Sequence, residues 1–88
     1  MRAIYKFELQ TVGRQEINLP MGAVIISAQA QSGNICLWVE LDTKAQTYKK
    51  AIHIYGTGHE IDDDLHLRFI DTVQLANGAL VFHIYYAL

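Results

Sequence analysis

Alternation with a period of two runs through almost the whole chain, and it leaves little freedom in the choice of fold. Successive side chains of a strand point to opposite faces, so apolar residues at every second position mark a half-buried β-strand. Residues 2–9 put Tyr5, Phe7 and Leu9 on one face and Lys6 and Glu8 on the other. The run "ICLWVELD" (35–42) gathers Ile35, Leu37, Val39 and Leu41, with Cys36, Trp38, Glu40 and Asp42 opposite. Residues 23–31 read as a strand with Val24, Ile26, Ala28 and Ala30 on one face. Shorter strands are expected at 16–19, 51–55 and 67–75, and a last one in "ALVFHIYYAL" (79–88). Turn formers separate them: Gly13, Pro20-Met21-Gly22, Ser32-Gly33-Asn34 and Ala76-Asn77-Gly78. Residues 43–50, "TKAQTYKK", read as a polar connection. No stretch holds a 3.6-residue period, and at most one short helical turn is expected, in 59–66. The expectation is one all-β domain over residues 1–88, a small antiparallel sandwich or barrel of about six or seven strands.

The last strand adds a second constraint. Leu80, Phe82, Ile84 and Tyr86 share one face, while Ala79, Val81, His83 and Tyr85 share the other. A strand apolar on both faces has to be covered on both. A domain this small has few elements to supply that cover. With 51% of its residues hydrophobic, the chain is expected to pack one face against another subunit or around a pocket, which makes a homo-oligomer the expected state.

Charge narrows the partners. Charged residues make up 18% of the chain and the formal net charge is −2, so no electrostatic footprint for long nucleic acid or an anionic membrane is present. A local basic pocket for a small anion remains compatible with that total. The lone cysteine, Cys36, has no intrachain partner, which suits a reducing compartment, and its apolar surroundings mark it as a small buried hydrophobe. The alternating N-terminal residues lack the apolar core of a signal peptide, and no apolar run is long enough for a transmembrane helix. A soluble, cytoplasmic protein is the expectation.

The stretch "HIYGTGHEIDDD" (53–64) carries the densest chemistry. Gly56-Thr57-Gly58 offers consecutive amides with two unhindered positions, a composition that can curl around an anion, with the Thr57 hydroxyl as a further donor. Tyr55 and His59 flank it and can stack on a base or donate to a phosphate. The plainer reading is a turn in which glycine supplies a positive φ. The loop has neither the spacing of a Walker motif nor the βαβ setting of a dinucleotide fingerprint. Asp62, Asp63 and Asp64 lack the alternating oxygen ligands of a calcium loop and read as a solvated acidic loop. His53, His59, His66 and His83 are too scattered in sequence to define a zinc set, although His53 and His83 could meet across a sheet. Ser27 and Ser32 lack a nucleophile context, and only the fold could assemble a pair such as Asp71 with His83. No metal, cofactor or catalytic activity is expected.

The candidate ligand set is therefore Tyr55, Gly56, Thr57, Gly58 and His59, with two additions. Arg68, the arginine nearest the loop in sequence, is the expected phosphate cation. Trp38, on the mixed face of its strand, is the expected stacking platform.

Several phrases taken together, "AIYKFEL", "INLPMGA", "ICLWVELD", "IHIYGTGHEI", "FIDTVQL" and "GALVFHIYYA", resemble a family of small proteins encoded by phages and prophages. The resemblance spans nearly the whole chain, and Tyr-Gly-Thr-Gly-His and Leu-Val-Phe-His are its most specific parts. Residues 51–54, "AIHI", depart modestly from the family's pattern. The family is one of unknown function. The resemblance implies a phage protein acting in the host cytoplasm. It also suggests an anti-defence sponge, an oligomer that sequesters a cyclic nucleotide signal without turning it over. The alternative is a small β interaction or structural protein that binds a host or virion protein.

Overall fold

A computed structural model describes residues 1–11 and 13–88. Among the described residues seven strands run in chain order: β1 (Arg2–Leu9), β2 (Arg14–Pro20), β3 (Val24–Gln31), β4 (Asn34–Asp42), β5 (Thr47–Gly56), β6 (Leu67–Leu75) and β7 (Leu80–Ala87). They form two antiparallel sheets, one ordered β1-β4-β3 and the other β2-β5-β7-β6. The fold is all-β. Among the described residues no helix is long and apolar enough to cross a membrane.

The alternation does what it predicts in β4. Ile35, Leu37, Val39 and Leu41 are all at most 2% exposed. They meet Leu19, Ile52, Ile54, Val73 and Ile84 from the inner face of the four-stranded sheet. Cys36 is buried too. The turn between β3 and β4 follows its residue types: Ser32 and Gly33 both take positive φ, 53° and 82°, as a two-residue hairpin turn of the I′ kind requires.

In β3 the strict alternation fails. Ile25 pairs with Val39 but Ser27 pairs with Trp38, so one residue, Ile26, is extra and the strand bulges there. The bulge shifts the pattern by one. Val24 and Ile26 turn outward, 54% and 50% exposed, while Ile25 packs on the core and Ala28 is 2% exposed. The expected face of Val24, Ile26, Ala28 and Ala30 is thus split. A second bulge lies at Ile70 in β6, between Phe69 and Asp71. Nearby, the Ala28 amide donates to the Asp71 carboxylate at 3.4 Å. The two edge strands are tied there across the sheets, and one edge amide is no longer open to further strand pairing.

Two more expectations change. Thr47 to Lys50, read as connection, belong to β5, where they pair with Pro20 to Ile17. Tyr48 and Lys50 continue the alternation of Ile52 and Ile54, with the polar ends at the open margin of the sheet, so polarity concealed a strand. The short helical turn in 59–66 does not form. The Asp62 side chain instead accepts from the Asp64 amide at 2.9 Å, a local bond that competes with helix.

The strand order dictates where residues 57–66 run. β5 and β6 lie on either side of β7 and are both antiparallel to it, so they run parallel to one another. The chain leaves β5 at Gly56, opposite Phe82, and enters β6 at Leu67, opposite Ala87. It therefore has to pass over β7. Thr57, at its start, bonds His83 of the outer face at 2.8 Å, which puts the beginning of the crossing on that face. This strap is irregular where parallel strands more often use a helix.

The bulge makes a sharp stability contrast. Leu37→Ala is expected to cost about 3 kcal/mol in urea unfolding through lost contacts and a cavity. Ile26→Ser should cost less than about 0.5 kcal/mol, because that side chain faces solvent. Similar costs for both would contradict the register shift.

Candidate functional site

Gly56 to His59 form a tight turn. The His59 amide donates to the Gly56 carbonyl at 3.1 Å, and Gly58 takes the positive φ of 89°. The His59 ring folds back over the turn, where its Nδ1 accepts from the Gly56 amide at 3.2 Å. A neutral imidazole that accepts at Nδ1 carries its proton on Nε2, so the ring retains one donor. The closeness explains Gly56: a Cβ there would sit 2.9 Å from the His59 ring. The turn's own bonds use the amides of Gly56 and His59, and they leave those of Thr57 and Gly58 outside that set.

His83 anchors the turn to the sheet. Its Nε2 lies 2.8 Å from the Thr57 hydroxyl and its Nδ1 lies 3.0 Å from the Thr72 hydroxyl. One threonine donates and the other accepts, so a neutral ring satisfies both. This histidine joins the start of the strap to β6 across β7. Asp71 is not its partner. The carboxylate bonds the Ala28 and Thr72 amides instead, because Asp71 pairs with Ile84 and so faces inward, away from His83. His53 and His83 do share the outer face, but they are offset along the sheet, since His53 opposes Tyr85 and Tyr55 opposes His83. Among the described residues no three His, Cys, Asp or Glu side chains converge as metal ligands would.

Aromatic rings gather beside His83 on that face. His53 and Tyr55 stack with ring centroids 6.2 Å apart, and Tyr85 meets Tyr55 and Phe69 edge-on at 5.8 and 5.4 Å. His53 is 7% exposed, and burial, aided by the positive charge of Arg14, lowers its pKa. Burial comes first in raising Tyr55, ahead of the Asp62 charge and Tyr85. The β7 pattern announced Tyr85 and His83 only as apolar-strand residues. Their grouping with Tyr55, Thr57 and Thr72 depends on strand order.

The turn opens on a concavity of about 430 Å³, bounded by Gly56, Thr57 and His59 on one side and by Ala79 to Phe82 on the other. The two additions to the candidate set lie elsewhere. Arg68 opposes Tyr86, four residues along β7 from the Phe82 that opposes Gly56. At about 3.3 Å per residue that is a separation of ~13 Å. Arg68 is near the loop in sequence, but the strap carries the chain to the far end of the sheet before it. Trp38 lies in β4, in the other sheet, half-buried on its outer face beside Ile4 and Ile26. Tyr55 projects from the outer face, whereas Gly56 and Phe82 share the inner side of the ladder.

Fold and site define a small two-sheet β protein with a histidine-pinned turn at the mouth of an open concavity. The chain belongs to the DUF7352 family, a domain of unknown function, and the match spans residues 1–88. No curated protein and no solved structure is significantly similar to it.

The lowered pKa of His53 sets a pH dependence. The unfolded chain takes up a proton near pH 6.5, the ordinary histidine value, whereas the folded chain resists it to lower pH. This contribution to stability is complete above about pH 6.5 and is lost as pH falls through the folded value. The melting temperature of the protein should therefore fall between pH 7 and pH 5 more steeply than that of His53→Gln. Parallel profiles would remove His53 from this role.

Proposed function

We propose that the protein is a non-catalytic binding protein that captures a small anionic ligand. A cyclic nucleotide is the ligand class we infer, and a phage-encoded anti-defence sponge acting in the host cytoplasm is the role. The observation that carries this reading is the concavity beside the Gly56–His59 turn. Its volume lies in the range of small-molecule sites, and its lining pairs apolar strand residues with a few convergent polar groups. The Thr57 and Gly58 amides and His59 Nε2 supply neutral donors for phosphate oxygens, as oriented backbone amides do in anion-binding loops. Phe82 supplies a flat apolar surface for a base. Sequestration needs affinity and no turnover, and a turn held by its own hydrogen bonds and by His83 is organised before a ligand arrives.

A second reading has its own observation. Ile4, Val24 and Ile26 are between 50% and 59% exposed on the outer side of the three-stranded sheet. An apolar surface of that kind suits a protein partner, from the host or the virion.

The two readings separate in one experiment. Purified protein is mixed with a panel of cyclic mono- and dinucleotides, its melting is followed, and the ligand is recovered after heating. Binding to the folded state alone raises the melting temperature by linkage. Capture predicts a rise for at least one cyclic nucleotide, full recovery of intact ligand, and loss of the rise in Gly56→Ala, whose added methyl displaces the His59 ring. No rise with any nucleotide would leave the protein-partner reading, and consumed ligand would make the protein an enzyme.

A further inference from the structure

At the other end of the four-stranded sheet lies a second opening, of about 300 Å³, and its chemistry differs from that of the turn. Lys50, Tyr48 and Tyr86 line it, together with Leu19 of β2 and Val24 and Ile25 of β3. Its lining contains a cation and no carboxylate.

Lys50 is oddly placed for a lysine. It opposes Ile17 in β2 and alternates with Ile52 and Ile54, so its side chain starts on the inner side of the sheet. The three ion pairs among the described residues are the N-terminus with Asp42, Arg2 with Glu40, and Arg14 with Glu16. None involves Lys50. Its ammonium instead lies 4.7 Å from the centroid of the Tyr86 ring and 6.0 Å from that of Tyr48. A ring face attracts the charge but supplies no oxygen acceptor, so the ammonium keeps N–H donors for something else.

A second cation stands on the same side. Arg68 opposes Tyr86 directly in the β6–β7 ladder, and directly opposed residues share a face. Lys50 lies diagonally from Tyr86 in the β5–β7 ladder, because the direct partner of Tyr86 is Ile52. Tyr86 is thus flanked on both neighbouring strands by a positive residue. The nearest carboxylate along β6 on that face, Asp71, is taken up by the Ala28 and Thr72 amides.

The geometry points to a binding site in this cleft for a phosphate carried on a flat ring, of the nucleoside monophosphate class. Lys50 is the cation that meets the phosphate, and Arg68, opposite Tyr86 in β6, is a second positive charge on the same face. Tyr48 and Tyr86 are the ring surfaces against which the planar part packs. Leu19 and Ile25 form the apolar floor. The site is independent of the turn concavity, which has no lysine or arginine in its lining. An aromatic wall and a cation together hold such a ligand better than either alone, since stacking contributes per ring and the charge contributes through phosphate.

Calorimetric titration with adenosine monophosphate, adenosine and inorganic phosphate tests the site in the full chain. The monophosphate should bind, and adenosine and phosphate should each bind at least about tenfold more weakly, because each carries half of the recognised chemistry. Lys50→Gln should weaken the monophosphate about tenfold or more while its unliganded melting stays close to the original, and Lys50→Arg should restore much of the affinity. Gly56→Ala, which disables the turn, should leave this binding intact. Absence of monophosphate binding overturns the site. So does binding that survives Lys50→Gln, or binding abolished by Gly56→Ala, which would assign the ligand to the turn instead.

Discussion

The central place of β7 governs this molecule. The last strand in sequence sits between β5 and β6, with Ile84 fully buried where it opposes Ile54. Until β7 is in place the four-stranded sheet has no middle, and β5 and β6 have no partner on their facing edges. The same placement makes β5 and β6 parallel, so residues 57–66 must cross from one end of the sheet to the other. The strap, the turn that starts it and the separation of Gly56 from Arg68 all follow from that one strand position.

It also answers how a strand apolar on both faces is accommodated. Phe82, Ile84 and Tyr86 belong to the core side, and Val81, His83 and Tyr85 face the strap side. His83 bonds Thr57 at the start of the strap, and the Leu88 amide bonds the His66 carbonyl at its end. The chain's own crossing segment thus meets that face at both of its ends. Phe69, 52% exposed, and the outward Ile4, Val24 and Ile26 are among the apolar residues left exposed.

Much of the framework was legible from residue order. The bounds expected for β1 and β6 coincide with the strands formed, the burial of Ile35, Leu37, Val39 and Leu41 follows their alternation, and the Ser32-Gly33 turn follows its residue types. Illegible features share a cause. A bulge such as Ile26 is one extra residue whose position depends on what the neighbouring strand needs, and no local pattern announces it. Tyr48 and Lys50 looked like connection because a polar strand at a sheet margin has the composition of a loop. Lys50 escaped notice because its two tyrosine neighbours gain meaning only once β5 and β7 lie side by side.

The residue order by itself determined an all-β domain, most of its strands and core, and a Gly-Thr-Gly-His turn rich in donors. Those are local properties, set by the period of side-chain direction and by which residues tolerate positive φ. Only the tertiary structure decided which functional groups share a site. It joined His83 to Thr57 and Thr72, took Arg68 and Trp38 away from the turn, and placed Lys50 between two tyrosine rings. The reason is that proximity in a sheet is set by strand order and register, and a ten-residue crossing separates neighbours in sequence while it brings distant residues together.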